Sequence, residues 1–239
     1  HTSPVYTFSI NPLPNYFPSH IELDVENEDL SQPGVTFMDF ESLDCSGAID
    51  ENGSLIWFTQ RENYSNNKFV FTQFADNGNI LGYSIGKGYE IDIDGNIIFE
   101  TPSGISLHHD FNKTRGGNYF LISALIEDHY CPEECSEFLS EVIPWQGDLF
   151  RELNSEGEFI WEWSTFDHID STEYNPFYVQ IYTGQYEMDW THSNSVFYDE
   201  NTDAVFVSIR NLSRITKIDY SSGDIIWNLG ENDFINEID

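Results

Sequence analysis

The chain has 239 residues, with 42 Asp and Glu against nine Lys and Arg, a formal charge of −33, and 16% aromatic side chains. That balance argues against nucleic acid as a partner, because neutralising phosphates takes clustered cations. The sequence holds no apolar run of about 18 residues, so no membrane-spanning helix is expected. The aromatic content suits a sizeable core in one large domain, and a site for an anion has to be locally basic against a repelling field.

Residues 1–33 are rich in Pro and Asn and read as an N-terminal arm or small β remnant, with candidate strands at 5–10 and 20–25 and a break at Pro33-Gly34. Over residues 34–239 one unit recurs: a strand, a Gly turn, and a strand ending in an aromatic. Its copies are Ile49-Asp-Glu-Asn-Gly-Ser-Leu-Ile-Trp57, Ile91-Asp-Ile-Asp-Gly-Asn-Ile-Ile-Phe99, Leu153-Asn-Ser-Glu-Gly-Glu-Phe-Ile-Trp161 and Ile218-Asp-Tyr-Ser-Ser-Gly-Asp-Ile-Ile-Trp227. The Gly supplies the positive φ of a hairpin turn. Copies lie about 42, 62 and 65 residues apart, near the period of a four-stranded propeller blade. The expected fold is therefore all-β, a β-propeller with about four visible blades. A β-sandwich is the alternative, and it leaves the repeated hairpin unexplained.

The longest insertion, about 127–147, is expected to be a loop with a short helical piece at 135–142. It contains Cys131 and Cys135, a candidate disulfide that would leave Cys45 free. No second pair and no His at zinc spacing accompanies them, so no metal is expected. Asp92-Ile-Asp-Gly-Asn96 resembles part of a calcium loop, but the closing Glu is missing and a plain turn is the better reading. Sequons at Asn52, Asn63, Asn112 and Asn211, and a start at His1, are read as pointing to a processed, extracytoplasmic (secreted or periplasmic) protein.

Candidate chemistry sits in two His motifs. Ser195–Tyr198 and Ala204–Ser208 flank the polar turn 199–203, a hairpin signal. A hairpin returns His192 and Arg210 to the same sheet edge although 18 residues separate them. A neutral imidazole beside a fixed cation suits a sulfate-like or phosphate-like group. Ser106-Leu-His-His-Asp-Phe-Asn-Lys-Thr-Arg115 precedes the strand 118–123 at the corresponding blade position, so His108 or His109 is expected to meet His192 and Arg210 near a central axis. Asp110, Asn194 and His168 are the further candidates for substrate contact. For His168 a structural bond with Asp167 is the favoured reading, and His129 is expected to be solvent-exposed.

Taken in order, His108-His-Asp-Phe-Asn-Lys-Thr-Arg-Gly-Gly-Asn118, Trp161-Glu-Trp-Ser-Thr-Phe-Asp-His168, Asp189-Trp-Thr-His-Ser-Asn-Ser195, Ser208-Ile-Arg-Asn-Leu-Ser-Arg-Ile-Thr-Lys-Ile-Asp219 and Gly223-Asp-Ile-Ile-Trp-Asn-Leu-Gly230 resemble the arylsulfotransferase family over roughly residues 34–230. The resemblance implies a six-bladed propeller acting outside the cytoplasm. It also implies transfer of a sulfuryl group from an aryl sulfate to a phenol through a sulfated His, with no cofactor, nucleotide or metal. His192 and Arg210 match the family's motif residues, and one of His108 and His109 matches its earlier His. The family's nucleophile lies beyond the Trp-x-Leu-Gly segment, and no His follows Gly230 here. The expectation is that this chain carries the sulfate-binding half of a site, with a second chain or further blades completing the ring. The alternative is a non-catalytic extracellular module or a sulfated-ligand binder.

Overall fold

A computed structural model describes residues 14–17, 21, 33–130, 142–182 and 185–230. Seventeen strands are described: β1 (Thr36–Phe40), β2 (Cys45–Ile49), β3 (Leu55–Phe58), β4 (Val70–Phe74), β5 (Ile80–Ser84), β6 (Lys87–Ile91), β7 (Ile97–Glu100), β8 (Leu107–Lys113), β9 (Tyr119–Tyr130), β10 (Val142–Leu153), β11 (Phe159–Ser164), β12 (Val179–Tyr182), β13 (Gln185–Asp189), β14 (Ser193–Asp199), β15 (Ala204–Ile209), β16 (Arg214–Asp219) and β17 (Ile225–Gly230). They form four sheets ordered β1-β2-β3, β4-β5-β6-β7, β8-β9-β10-β11 and β14-β15-β16-β17, and the hairpin β12-β13 is added to β10. Within each sheet consecutive strands are antiparallel.

The four recurring units are the outer hairpins of the four sheets. Their glycines, at 53, 95, 157 and 223, all have φ between 77° and 83°, a conformation that a Cβ would strain. The residue opening each turn caps it: Asp50, Asp92, Asn154 and Asp219 accept backbone N–H groups from across the turn. In Asp92-Ile-Asp-Gly-Asn96 the first carboxylate bonds Asn96 through both backbone and side chain, so the segment is a closed turn.

The aromatic ending three of these units reaches the next sheet. Trp57 Nε1 donates to Ile93 O at 2.8 Å, Phe99 stacks on Tyr119 at 4.0 Å, and Trp161 stacks on Tyr220 while donating Nε1 to its carbonyl at 2.9 Å. A second device recurs beneath them. Buried Glu90 accepts from Asn79 of its own sheet and Tyr119 of the next, and Glu152 accepts from Asn118 and Tyr220 in the same way. Burial pushes the Glu90 carboxyl up, but bonds from Lys113, Tyr119 and Asn79 outweigh it and hold it below the usual range.

The first strands of successive sheets lie side by side. Thr72 Oγ1 of β4 donates to Phe111 O of β8, and Asn112 Nδ2 of β8 donates to Val196 O of β14. Radial sheets with their first strands adjacent make a β-propeller, with four blades among the described residues. The largest core cluster, between the third and fourth blades, includes Phe120, Phe150, Trp163, Trp190 and Val207.

The insertion departs from the sequence expectation. Residues 127–130 and 142–147 are strand, because β9 and β10 pair without a break from Tyr119↔Leu153 to Tyr130↔Val142. His129 is accordingly not a free loop residue: its ring lies flat on Phe166 at 4.9 Å and beside Trp145. Cys131, Cys135 and the strand expected at 5–10 lie outside the described residues, as does nearly all of 20–25, while Cys45 is buried and free.

Candidate functional site

Two bulges build the site. In β8, Leu107 pairs Ser123 and the next ladder partner is Phe111 with Leu121, so the strand carries two extra residues around His108, His109 and Asp110. In β14, Ser193 pairs Ile209 and Ser195 pairs Ser208, which leaves Asn194 extra. Bulges re-aim side chains, and here each accompanies a His with positive φ: 58° at His109 and 46° at His192.

The rings of His109 and His192 meet edge to face, 4.9 Å between centroids, although they belong to different blades. His108 Nδ1 lies 2.9 Å from His109 Nδ1. His192 Nδ1 lies 2.6 Å from Asp189 Oδ2. All three imidazoles line one cavity of about 590 Å³, whose other walls include Ile85, Lys87, Ile105 and Leu107. Arg210, placed by the β14-β15 hairpin, is exposed and stands 5.5 Å from the Tyr178 ring. It has no acidic partner among the described residues, whereas six of the other eight cations are paired. Burial, then the neighbouring His108 and His192, then Arg210 push His109 below the ordinary imidazole range, with Asp148 opposing. His109 is therefore neutral at pH 7.

Asp148 is the organiser that sequence reasoning missed. It is buried on β10, and Thr165 bonds its backbone N–H and C=O. Its Oδ2 accepts from Thr191 Oγ1 at 2.6 Å and Ser193 N at 2.7 Å, the residues either side of His192. Its Oδ1 lies 3.1 Å from His108 Nε2, off the ring's N–H line, so that contact is electrostatic rather than an aligned hydrogen bond. Burial pushes the Asp148 carboxyl up, but His108, Thr191 and Ser193 outweigh it and keep it ionised. The available signal was a lone carboxylate inside the mostly apolar run 142–150, where a buried charge needs partners.

The other expected contacts separate. Asp110 sits behind the cluster, its Oδ2 accepting from Val196 N at 2.9 Å, and burial pushes it up to about 6. Asn194 is the exposed bulge residue of β14 and does not line the cavity. His168 is not part of the cluster: its ring lies flat on Trp163 at 4.7 Å, next to Gly223. No group of His, Cys, Asp and Glu among the described residues is arranged to hold a metal ion, and no described helix is long and apolar enough to cross a membrane. The Asn112 and Asn211 side chains are engaged by backbone carbonyls, Asn211 fully within the core.

Fold and site together define a β-propeller with three imidazoles lining one cavity, and with the exposed Arg210 outside that lining, next to the Ile209 that pairs Ser193. The family model for Arylsulfotransferase (ASST) matches residues 16–238, and the chain belongs to that family. No curated protein matches the sequence. Among solved structures, hydrazine synthase of Kuenenia stuttgartiensis is similar at 13% identity and TM-score 0.43, over 74% of this chain and 46% of that one. A protein of unknown function from Bacteroides caccae matches at 14% identity and TM-score 0.32, over 81% and 78% of the two chains. The dihydro-heme d1 dehydrogenase NirN in complex with DHE matches at 13% and 0.26, over 79% and 53%. The chain thus spans less than half the length of the first, and none of these likenesses bears on its chemistry.

Proposed function

We propose that this chain binds an aryl sulfate in the cavity of His109 and His192, with Arg210 reaching it from the neighbouring sheet edge, and serves nucleotide-independent transfer of the sulfuryl group between phenols, outside the cytoplasm. The observation that carries the reading is the 4.9 Å approach of His109 and His192, brought from separate blades by two bulges, at the edge where Arg210 emerges. Arg210 offsets charge on the sulfate oxygens. His192, with Nδ1 held by Asp189, offers Nε2 to the ester or sulfate oxygen. His109 is the acid/base, giving a proton to the leaving phenolate and taking one from the acceptor phenol. Ile85, Ile105 and Leu107 supply an apolar wall for an aromatic ring. In this reading sulfur is attacked by an imidazole from beyond the Trp-Asn-Leu-Gly segment, and the described residues form the sulfate-binding half of the site.

Calorimetry with p-nitrophenyl sulfate and p-nitrophenol tests it. The sulfate ester is expected to bind and the free phenol to bind at least about tenfold more weakly, a difference of about 1.4 kcal/mol. Arg210→Ala or His192→Ala is expected to remove that preference. Equal binding of the two ligands, or unchanged preference in both variants, rejects the site. Retained preference for the ester, with no release of p-nitrophenol to a phenol acceptor once a polypeptide supplying the attacking imidazole is added, makes the chain a sulfated-ligand binder.

A further inference from the structure

Two Nδ1 atoms 2.9 Å apart share one proton, since two donors would repel and two lone pairs would not bond. The second constraint comes from Asp148, buried and ionised, 3.1 Å from His108 Nε2. A carboxylate there favours a proton on Nε2, so in neutral His108 the Nδ1 is the acceptor and His109 Nδ1 is the donor. His109 Nε2 is then left bare. We propose that Asp148, His108 and His109 form a proton relay: His109 Nε2 takes a proton at the cavity, and the His109 Nδ1 proton passes to His108 beside Asp148.

The step balances. The acceptor phenol's O–H bond breaks and an Nε2–H bond forms on His109. The Nδ1–H bond of His109 breaks as Nδ1–H forms on His108. His109 ends neutral with its proton on Nε2, and the positive charge rests on His108 against the Asp148 carboxylate. Protonating a leaving phenolate runs the same transfers backwards. His108 and Asp148 are positioning residues, and His109 alone of the three meets substrate.

The surrounding charges favour this direction. His109 faces His192 and Arg210, both of which oppose a cation on its ring. Lys87 on the rim is paired with Glu100 at 3.0 Å, and Asp189 is engaged by His192. Asp110, next along β8, is turned to Val196 N, and burial pushes the Tyr83 hydroxyl up, so it carries no charge. Asp148 is the remaining anion, and it lies against His108. The same carboxylate bonds Thr191 and Ser193, so the relay and the His192 loop share one anchor.

The catalytic use of this relay rests on the sulfuryl-transfer reading, but its proton positions do not, and they can be read without any ligand. The test is ¹⁵N-histidine NMR of the full chain, with each ring assigned by its own His→Gln variant. At neutral pH the expected pattern is a protonated Nε2 and bare Nδ1 on His108, with the reverse on His109. On acidification the first charge of the pair is expected on His108. In Asp148→Asn that first protonation is expected to fall by about one pH unit or more, since a carboxylate partner shifts a pKa by that order. A bare Nε2 on His108, or charge developing first on His109, overturns the proposal in the unaltered chain, whether or not Asp148→Asn folds. An unchanged titration in a folded Asp148→Asn does so as well.

Discussion

The acid–base character of the site rests on two carboxylates that burial treats oppositely. Asp148 collects enough donors to stay ionised, while Asp110 does not and is pushed up to about 6. A raised folded pKa means that the folded chain holds the Asp110 proton when the unfolded chain has lost it. Asp110 therefore lowers stability progressively as pH rises from about 4 to about 6, by at most about 3 kcal/mol. Asp110→Asn keeps an acceptor for the Val196 N–H and removes the titration. Urea unfolding at pH 4.5 and pH 7 should show wild type losing more stability over that interval than the variant; equal losses would contradict the assignment. The site's charged residues were unequally legible. His192 and Arg210 could be read because a hairpin places its two ends together whatever else the fold does. Asp148 could not be assigned a partner, since its side-chain contacts lie 40 residues before it at His108 and 43 after it at Thr191, and only tertiary packing joins them.

At the scale of elements, the recurring outer hairpin carries the architecture, and its closing aromatic is the contact between sheets. Trp161 combines a stacked face on Tyr220 with a hydrogen bond to its carbonyl. Trp161→Ala should cost about 3 kcal/mol in urea unfolding, while Trp161→Phe, which keeps the ring, should cost about 1 kcal/mol. Equal costs would mean that the ring face adds nothing between the blades. This repeat was visible in sequence because the turn needs Gly and the contact needs an aromatic at a fixed offset. The bulges were not visible. The run at 107–113 reads as a segment before a strand, and only pairing with β9 shows it to be the first strand, kinked at the histidines. That kink also decides between the adjacent rings, sending His109 toward His192 and His108 toward Asp148. His129 misled for the converse reason, since an imidazole packed flat on Phe166 looks in sequence like a loop residue, and His168 is structural as favoured, though its partner is the Trp163 ring.

For the whole molecule, the charge of −33 works against its own ligand. At about 0.1 M salt the repulsion of an anionic aryl sulfate is screened beyond about 10 Å and is felt over the last approach to the opening. Its association rate should therefore rise with ionic strength, opposite to the behaviour of a basic anion site. Stopped-flow binding of a fluorescent aryl sulfate between about 0.02 and 0.2 M salt gives the sign. A falling rate would mean that the opening presents more positive field than Arg210 provides. The most direct measurement is a crystal structure of the chain soaked with p-nitrophenyl sulfate. The sulfate group is expected within hydrogen-bonding reach of His192 Nε2 and Arg210, with the ester oxygen facing His109 Nε2 and the ring against Ile105 and Leu107. Sulfate bound elsewhere, with the cavity of the three histidines empty, would contradict the account.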